Sequence, residues 1–311
     1  MKRLSIIVPC YNEQETIDIY LQEMKQVESN MSLEFEYLSV NDGLNDETII
    51  RLKEAANKYT NVNYISYSRN FGKEAALIAG LEAVTGDLIT VMDVDLQDPP
   101  ELLPEMYEKI QEGYDIVGTR RYNRVREPVL RSFFAKKFYQ VINQISDTEM
   151  VDGARDFRLM TRQVVDAILE LNEVNRFSKG IFSWVGFDTY YISFENRERS
   201  AGETSWNFWS LFKYSLEGII NFSEAPLTFA TLIGLGSCIM SILAMIYFFL
   251  DNLVKQNPVP GWPSLVCIIL FLGGLQLFCL GIVGKYIGKI FTEVKKRPNY
   301  IIKESHFKSE D

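Results

Sequence analysis

Histidine is almost missing from this 311-residue chain: the single one, His306, lies in a polar tail. That excludes a His-based triad, a His general base and a His zinc site, and leaves carboxylates, Lys, Arg or a metal to carry any chemistry. Cysteine is scarce as well. Cys10, Cys238, Cys267 and Cys279 show no C-x-x-C spacing and three of them sit in apolar runs, so they read as reduced small hydrophobes rather than a disulfide framework. No G-x-G-x-x-G follows the first strand and no G-x-x-x-x-G-K-[ST] occurs, which removes the dinucleotide and P-loop readings. Basic charge is in deficit. A net charge of −9, a pI near 5.0 and no basic stripe before the apolar C-terminal part argue against a nucleic-acid partner. The apolar run after Lys2-Arg3 is too short for a signal peptide, so the N-terminal domain is expected to stay in the cytoplasm. Internal repeats and low-complexity segments are also missing.

What is present first is an alternation of short apolar runs and helical patterns. Leu4 to Pro9, Phe35 to Val40, Asn63 to Ser66, Leu88 to Met92 and Asp115 to Gly118 read as strands, the first ended by proline. Asn12, with Glu15 three residues on, reads as the capping box of a helix to Ser29, and Asp46 as the cap of a helix to Tyr59. Lys73 to Val84 is an Ala-rich helix, and Pro100 to Gln111 a helix with proline in its first turn. Farther on, Asp152 to Met160 leads into a strand, Thr161 caps a helix to Leu171, and Thr189 to Phe194 is strand-like. The alternation predicts an α/β fold with a largely parallel, doubly wound sheet, in which ligands bind beyond the carboxyl ends of strands.

Asp42, Asp93 and Asp95 all fall at such ends. Side chains at i and i+2 of an extended chain share a face, so Asp93 and Asp95 converge on one point, and Pro99-Pro100 stops the strand beyond them. Two converging carboxylates repel unless a cation lies between them, and a hard divalent ion shared with substrate phosphates is the usual solution. The competing reading is a solvated acidic turn. Arg120, Arg121, Arg124, Arg126 and Arg131, followed by Lys136-Lys137, form either a solvated face or a phosphate-binding cluster, to which the bidentate fork of Arg is suited.

The C-terminal third changes character. The aromatic run from Trp206 to Leu216, with Lys213, reads as an amphipathic helix in a membrane interface, against the alternative of a packed core helix. Neither Ala225 to Leu250 nor Gln256 to Gly284 contains a charged residue, and each exceeds the roughly 20 residues that span a bilayer. Between them lie only Asp251 and Lys255. From Lys285 onward there are seven Lys and Arg against four Asp and Glu, which places both termini in the cytoplasm and the short hairpin outside. The organisation expected is a cytoplasmic α/β domain over 1–205, an interfacial helix over 206–224, a transmembrane hairpin over 225–284 (spans about 227–250 and 262–284) and a basic cytoplasmic tail over 285–311.

An ordered set of blocks carries a family resemblance: Val8-Pro9-Cys10-Tyr11-Asn12-Glu13, Val40-Asn41-Asp42-Gly43, Ser68-Arg69-Asn70-Phe71-Gly72-Lys73, Met92-Asp93-Val94-Asp95-Leu96-Gln97-Asp98-Pro99-Pro100-Glu101, Arg155-Asp156-Phe157-Arg158-Leu159-Met160 and Ala201-Gly202-Glu203-Thr204. The Gly261-Trp262-Pro263-Ser264 hairpin and the Glu293 to Tyr300 tail fit as well. The chain resembles the membrane-anchored family 2 glycosyltransferases that load a sugar onto a polyisoprenyl phosphate, the bactoprenol glucosyltransferases and dolichol-phosphate mannose synthases. The resemblance implies a GT-A-type domain and inverting transfer of a hexose from a nucleotide sugar, UDP-glucose first and N-acetylglucosamine next, to undecaprenyl phosphate. By position it implies that Pro9, Tyr11, Glu13 and Asp42 line the nucleoside pocket and that Asp93, Asp95 and Gln97 ligate Mg²⁺ or Mn²⁺. It further implies that Arg120, Arg131 and Arg199 receive the lipid phosphate and donor diphosphate, and that Asp156 stands at the position of a proposed base beside the catalytic Asp95. A homo-oligomer, and a separate flippase and transferase for the product, are implied partners.

Four positions depart from the family pattern. Leu44 replaces a small hydroxyl residue, Val94 an alanine, Ser205 a lysine and Lys285 a glutamate. With Ser205 uncharged, Lys73 or Arg199 is expected to compensate the diphosphate. A base at Asp156 is also hard to require, because a phosphate monoester with a second pKa near ~6 is largely dianionic at neutral pH. A processive polysaccharide synthase is disfavoured by the missing Gln-x-x-Arg-Trp element and by only two spans. A non-catalytic membrane scaffold is disfavoured by the intact Asp93, Asp95, Gln97 and Asp156.

Overall fold

The computed structural model describes residues 1–43, 46–121, 139–140, 142–146, 148, 150–195, 218–255 and 261–307. Four apolar runs form the parallel strands β1 (Arg3–Cys10), β2 (Glu34–Asn41), β3 (Val62–Tyr67) and β4 (Leu88–Val91), ordered β4-β1-β2-β3 across the sheet. The crossovers are α1 (Ile17–Ser29), α2 (Thr48–Lys58) and α3 (Lys73–Ala83). Because side chains alternate along a strand, β1 feeds two core layers. Leu4, Ile6 and Val8 pack with Tyr20 and Met24 of α1, while Ile7 packs with Ala76 and Ala79 of α3. The small residues of α3 let it lie close to the sheet: a Cβ on Gly80 would strike Ile7 Cγ2.

A 3-10 turn at Pro100–Leu102 leads into α4 (Leu103–Gln111), then β5 (Ile116–Arg121). Here the sheet departs from the simple alternation. β6 (Ala154–Thr161) inserts between β4 and β5, antiparallel to both, and β7 (Thr189–Phe194) adds outside β5 in parallel. Two short helices, α5 (Arg162–Glu170) and α6 (Ser178–Trp184), separate β6 from β7. One sequence expectation fails locally: α1 begins at Ile17, and Asn12 is not its cap but stands at φ +57° in the left-handed region. The turn after it is closed by the Thr16 hydroxyl, which donates to the Glu13 carbonyl (2.9 Å) and carboxylate (2.8 Å).

Two helices are long and apolar enough to cross a membrane. They are α7 (Ala225–Lys255), with a candidate span at Ala225–Phe248, and α8 (Trp262–Lys295), with one at Leu265–Lys295. Their mean hydropathies of 2.2 and 2.6, with hardly any of the apolar surface buried within the chain, mark surfaces made for an apolar solvent. At 1.5 Å per residue, α8 is about 50 Å long, more than the ~30 Å hydrocarbon thickness. It continues past position 284, where the uncharged run ends, and carries the chain back to the α/β domain. Beyond it, part of the segment read as a basic tail forms β8 (Ile302–His306), antiparallel to β3 at the edge of the eight-stranded sheet. Residues 206–217 of the expected interfacial helix lie outside the described residues, and 218–222 are helical.

Candidate active site

β1 has β2 on one side and β4 on the other, so the chain leaves the sheet in opposite directions on either side of it. The loops after β1, β2 and β4 therefore meet in the crevice where a doubly wound sheet binds its ligand. These loops carry Tyr11 to Glu13, Asp42 and Asp93 to Gln97, with Pro9 at the end of β1 itself. A fourth contributor comes from β6. Its antiparallel register with β4 pairs Val91 with Arg158 and Thr90 with Leu159. Continued two residues past Val91, that register puts Asp156 opposite Asp93.

Lys73, the first residue of α3, closes this pair. Its ammonium lies 2.8 and 3.0 Å from the two Asp93 oxygens and 2.7 Å from Asp156 Oδ2. Burial works against the charge on both Lys73 and Asp156, and their mutual attraction outweighs it. The Asp156 and Asp93 carboxylates hold Lys73 well above the ordinary lysine range. Lys73, with Lys179 and Arg158, holds Asp156 well below the usual carboxylate range. These cations hold Asp156 in its anionic form.

Lys73 is placed by Asp42. This residue, 5% exposed, accepts the backbone N–H of Phe71 (2.6 Å) and of Gly72 (2.7 Å), the two residues before α3. Gly72, at φ +94°, makes the turn. Burial raises the Asp42 pKa, and the two N–H groups and Arg69 pull it back. Expected in a nucleoside pocket, Asp42 lies at the crevice and also holds the loop that delivers Lys73. Of the other residues expected there, Tyr11 is 45% exposed and Glu13 accepts from the Thr16 hydroxyl.

In the Asp93–Gln97 turn, Asp95 is 3% exposed and accepts the Gln97 N–H at 3.1 Å, and Leu96 stands at φ +56°. Gln97 Oε1 accepts from Arg121 Nη2 at 3.3 Å. The next residue, Asp98, is 1% exposed and binds Arg155 Nε at 2.7 Å, which ties the turn to the start of β6. Arg120 follows the opposite strand face from Arg121 and donates from Nε to Ser193 Oγ (2.9 Å) on β7. Arg131 and Arg199 lie outside the described residues. Cys10 is no nucleophile: burial pushes its thiol far up, and its Sγ donates to the Val8 carbonyl.

Among the described residues, no group of three or more His, Cys, Asp and Glu side chains is arranged to hold a metal. The donor set nevertheless suits a hard cation that takes the rest of its shell from substrate phosphates. Asp93 already binds a stand-in cation, the Lys73 ammonium, through both oxygens, and Asp95 is two residues away on the same turn.

Strand-end positions point to Asp42, Asp93 and Asp95 together, and the family resemblance alone adds Asp156; neither points to the Lys73 bridge, the Arg121–Gln97 and Arg155–Asp98 contacts, or Lys179. Strand alternation would have separated Arg120 from Arg121. The bridge needed the β4–β6 register.

A mostly parallel sheet with acidic residues at the ends of β2 and β4, completed by an antiparallel strand between β4 and β5, has the architecture of a GT-A-type domain. Residues 5–169 match the family model described as glycosyl transferase family 2, and the chain belongs to that family and is a glycosyltransferase. The Bacillus subtilis protein CsbB is 42% identical over 308 residues, 99% of this chain and 93% of that protein. The SfII prophage-derived bactoprenol glucosyl transferase of Shigella flexneri is 43% identical over 304 residues, 98% of each chain. Among solved structures, glucosyl-3-phosphoglycerate synthase from Mycobacterium tuberculosis, in complex with Mn²⁺ and UDP-glucose, aligns with a TM-score of 0.45 at 18% identity, covering 70% of this chain and 77% of that one.

Proposed function

We propose that this enzyme transfers a hexose, glucose from UDP-glucose, to undecaprenyl phosphate at the cytoplasmic face of the cell membrane, with inversion at the sugar carbon. The observation that carries the reading is the meeting of Asp93, Lys73 and Asp156 at the ends of the interior strands β4 and β6, with Asp95 on the same turn, in a chain that also has two apolar helices of spanning length. The near full-length likeness to a bactoprenol glucosyl transferase supports the acceptor. A Mg²⁺ or Mn²⁺ ion held by Asp93 and Asp95 would neutralise the diphosphate as it departs.

The chain's own residues do the rest. A lipid phosphate oxygen forms the bond to the anomeric carbon, and the carbon–oxygen bond to UDP breaks with its electron pair passing to the diphosphate. No protein nucleophile is required. Lys73 is placed to follow the developing negative charge, being already poised between two carboxylates. Asp156 holds Lys73 rather than removing a proton. Arg120 together with Arg131 and Arg199 is assigned to the phosphates, and both termini to the cytoplasm.

Purified full-length protein given labelled UDP-glucose and undecaprenyl phosphate is expected to yield a chloroform-soluble label that a chelator abolishes. A labelled polymer would instead indicate a processive synthase. A preference for labelled UDP-N-acetylglucosamine or GDP-mannose in the same assay would reassign the sugar. Because the acceptor phosphate and not Asp156 sets the protonation requirement, the rate is expected to rise through pH ~6 and level off. Asp156→Asn should keep that inflection at lower amplitude, and its disappearance in the variant would restore Asp156 as a base.

A further inference from the structure

Glu293, near the end of α8, uses one carboxylate to hold a loop of the catalytic domain. Oε1 and Oε2 lie 3.1 and 2.9 Å from the Val174 N–H, and Oε1 lies 2.8 Å from the Asn175 N–H and 2.7 Å from Asn175 Nδ2. Asn175 Nδ2 also donates to Thr292 Oγ1 at 2.7 Å. On the other side, the Asn175 carbonyl accepts from Asn221 Nδ2 at 3.0 Å, just before α7. Tyr286 of α8 donates to the Ser223 carbonyl at 2.7 Å, tying α8 to the same segment before α7. One loop between α5 and α6 therefore holds the end of α8 and the segment that leads into α7.

The same loop leads directly to the active site. Three residues after Asn175, Ser178 donates its N–H and its hydroxyl to Glu74, the residue after Lys73. Lys179 follows and acts on Asp156. Hydrogen bonds thus run from the end of α8 through Asn175 and Ser178 to the residue beside Lys73. Charge-assisted bonds to backbone N–H groups are the strong kind, and three donor groups on one carboxylate fix direction as well as distance.

We infer that Glu293 and Asn175 are positioning residues that set the orientation of the active site relative to the bilayer, so that an acceptor phosphate held at the membrane surface reaches the sugar carbon. The inference rests on the lipid-acceptor reading. Breaking the clamp loosens only the membrane end, since the Ser178–Glu74 contact and the donor side remain.

The test uses full-length protein in vesicles of phosphatidylethanolamine and phosphatidylglycerol containing undecaprenyl phosphate. Glu293→Ala and Asn175→Ala are each expected to lower kcat for lipid transfer by at least about tenfold, the scale on which a small misplacement acts. UDP affinity, by calorimetry, should stay within about twofold of the wild type, and the double variant should be no worse than the weaker single one. UDP affinity also reports whether the variants are folded. The inference is overturned by unchanged lipid transfer in both variants, by a parallel fall in UDP affinity, or by additive losses in the double variant. A wild type that transfers nothing to the lipid while binding UDP would overturn the acceptor reading itself, and this inference with it.

Discussion

Alanine at Asp93 or Asp95 is expected to lower hexosyl transfer by about 10²–10³-fold at saturating donor and metal, the usual effect of removing a group that stabilises transition-state charge. Asp156→Asn should cost far less, on the order of tenfold, because Asp156 acts through Lys73 rather than on the sugar. The asymmetry follows from the structure. Asp93 faces Lys73 with both oxygens and Asp156 with one, and Asp156 is held as a fixed anion by the cations around it. Steady-state kinetics of the three variants, with Mn²⁺ affinity measured separately, checks the point. Equal losses in all three would mean that Asp156 touches the reacting groups and that the division of roles is wrong.

The second large effect concerns stability. Asp98 is buried at the end of the catalytic turn, and burial raises its pKa while Arg155, 2.7 Å away, pulls it back. Asp98→Ala leaves the Arg155 guanidinium without its anion in a mostly buried position. Breaking a buried pair from one side costs about 3–5 kcal/mol, and the partial exposure of Arg155 puts the effect near ~3 kcal/mol. Thermal unfolding of the full-length protein in detergent should show this as a clear drop in midpoint, with Asp98→Asn intermediate because its amide oxygen still accepts from Arg155. A variant as stable as the wild type would show that the turn is held by other contacts, such as Gln97 to Arg121.

The parallel half of the fold was legible because its signals are local. β1 to β4 are short apolar runs, the first closing on Pro9, the second on Asn41 and the fourth just before Asp93, and the two long apolar helices announce themselves by length. β6 was legible as a strand but not as a neighbour. Its place between β4 and β5 is a non-local pairing, and on that pairing depends the meeting of Asp93 with Asp156. β8 was hidden because Ile302–His306 is mostly polar and pairs only as an edge strand. In the site, the acidic residues were readable from their positions at strand ends, whereas the Lys73 bridge was not. Lys73 is the first residue of a helix, and its reach depends on how Asp42 fixes the Phe71–Gly72 turn. Glu293 lay in a charged stretch that reads as a membrane-flanking tail, and nothing in its spacing points to Val174 and Asn175 more than a hundred positions earlier.

The most direct measurement is the mass of undecaprenyl phosphate recovered from vesicles after incubation with the full-length protein, UDP-glucose and a divalent metal. The account predicts a lipid heavier by one hexose and no more, formed by the wild type and not by Asp93→Ala. Lipid of unchanged mass, with UDP-glucose consumed to free sugar or polymer, would contradict it.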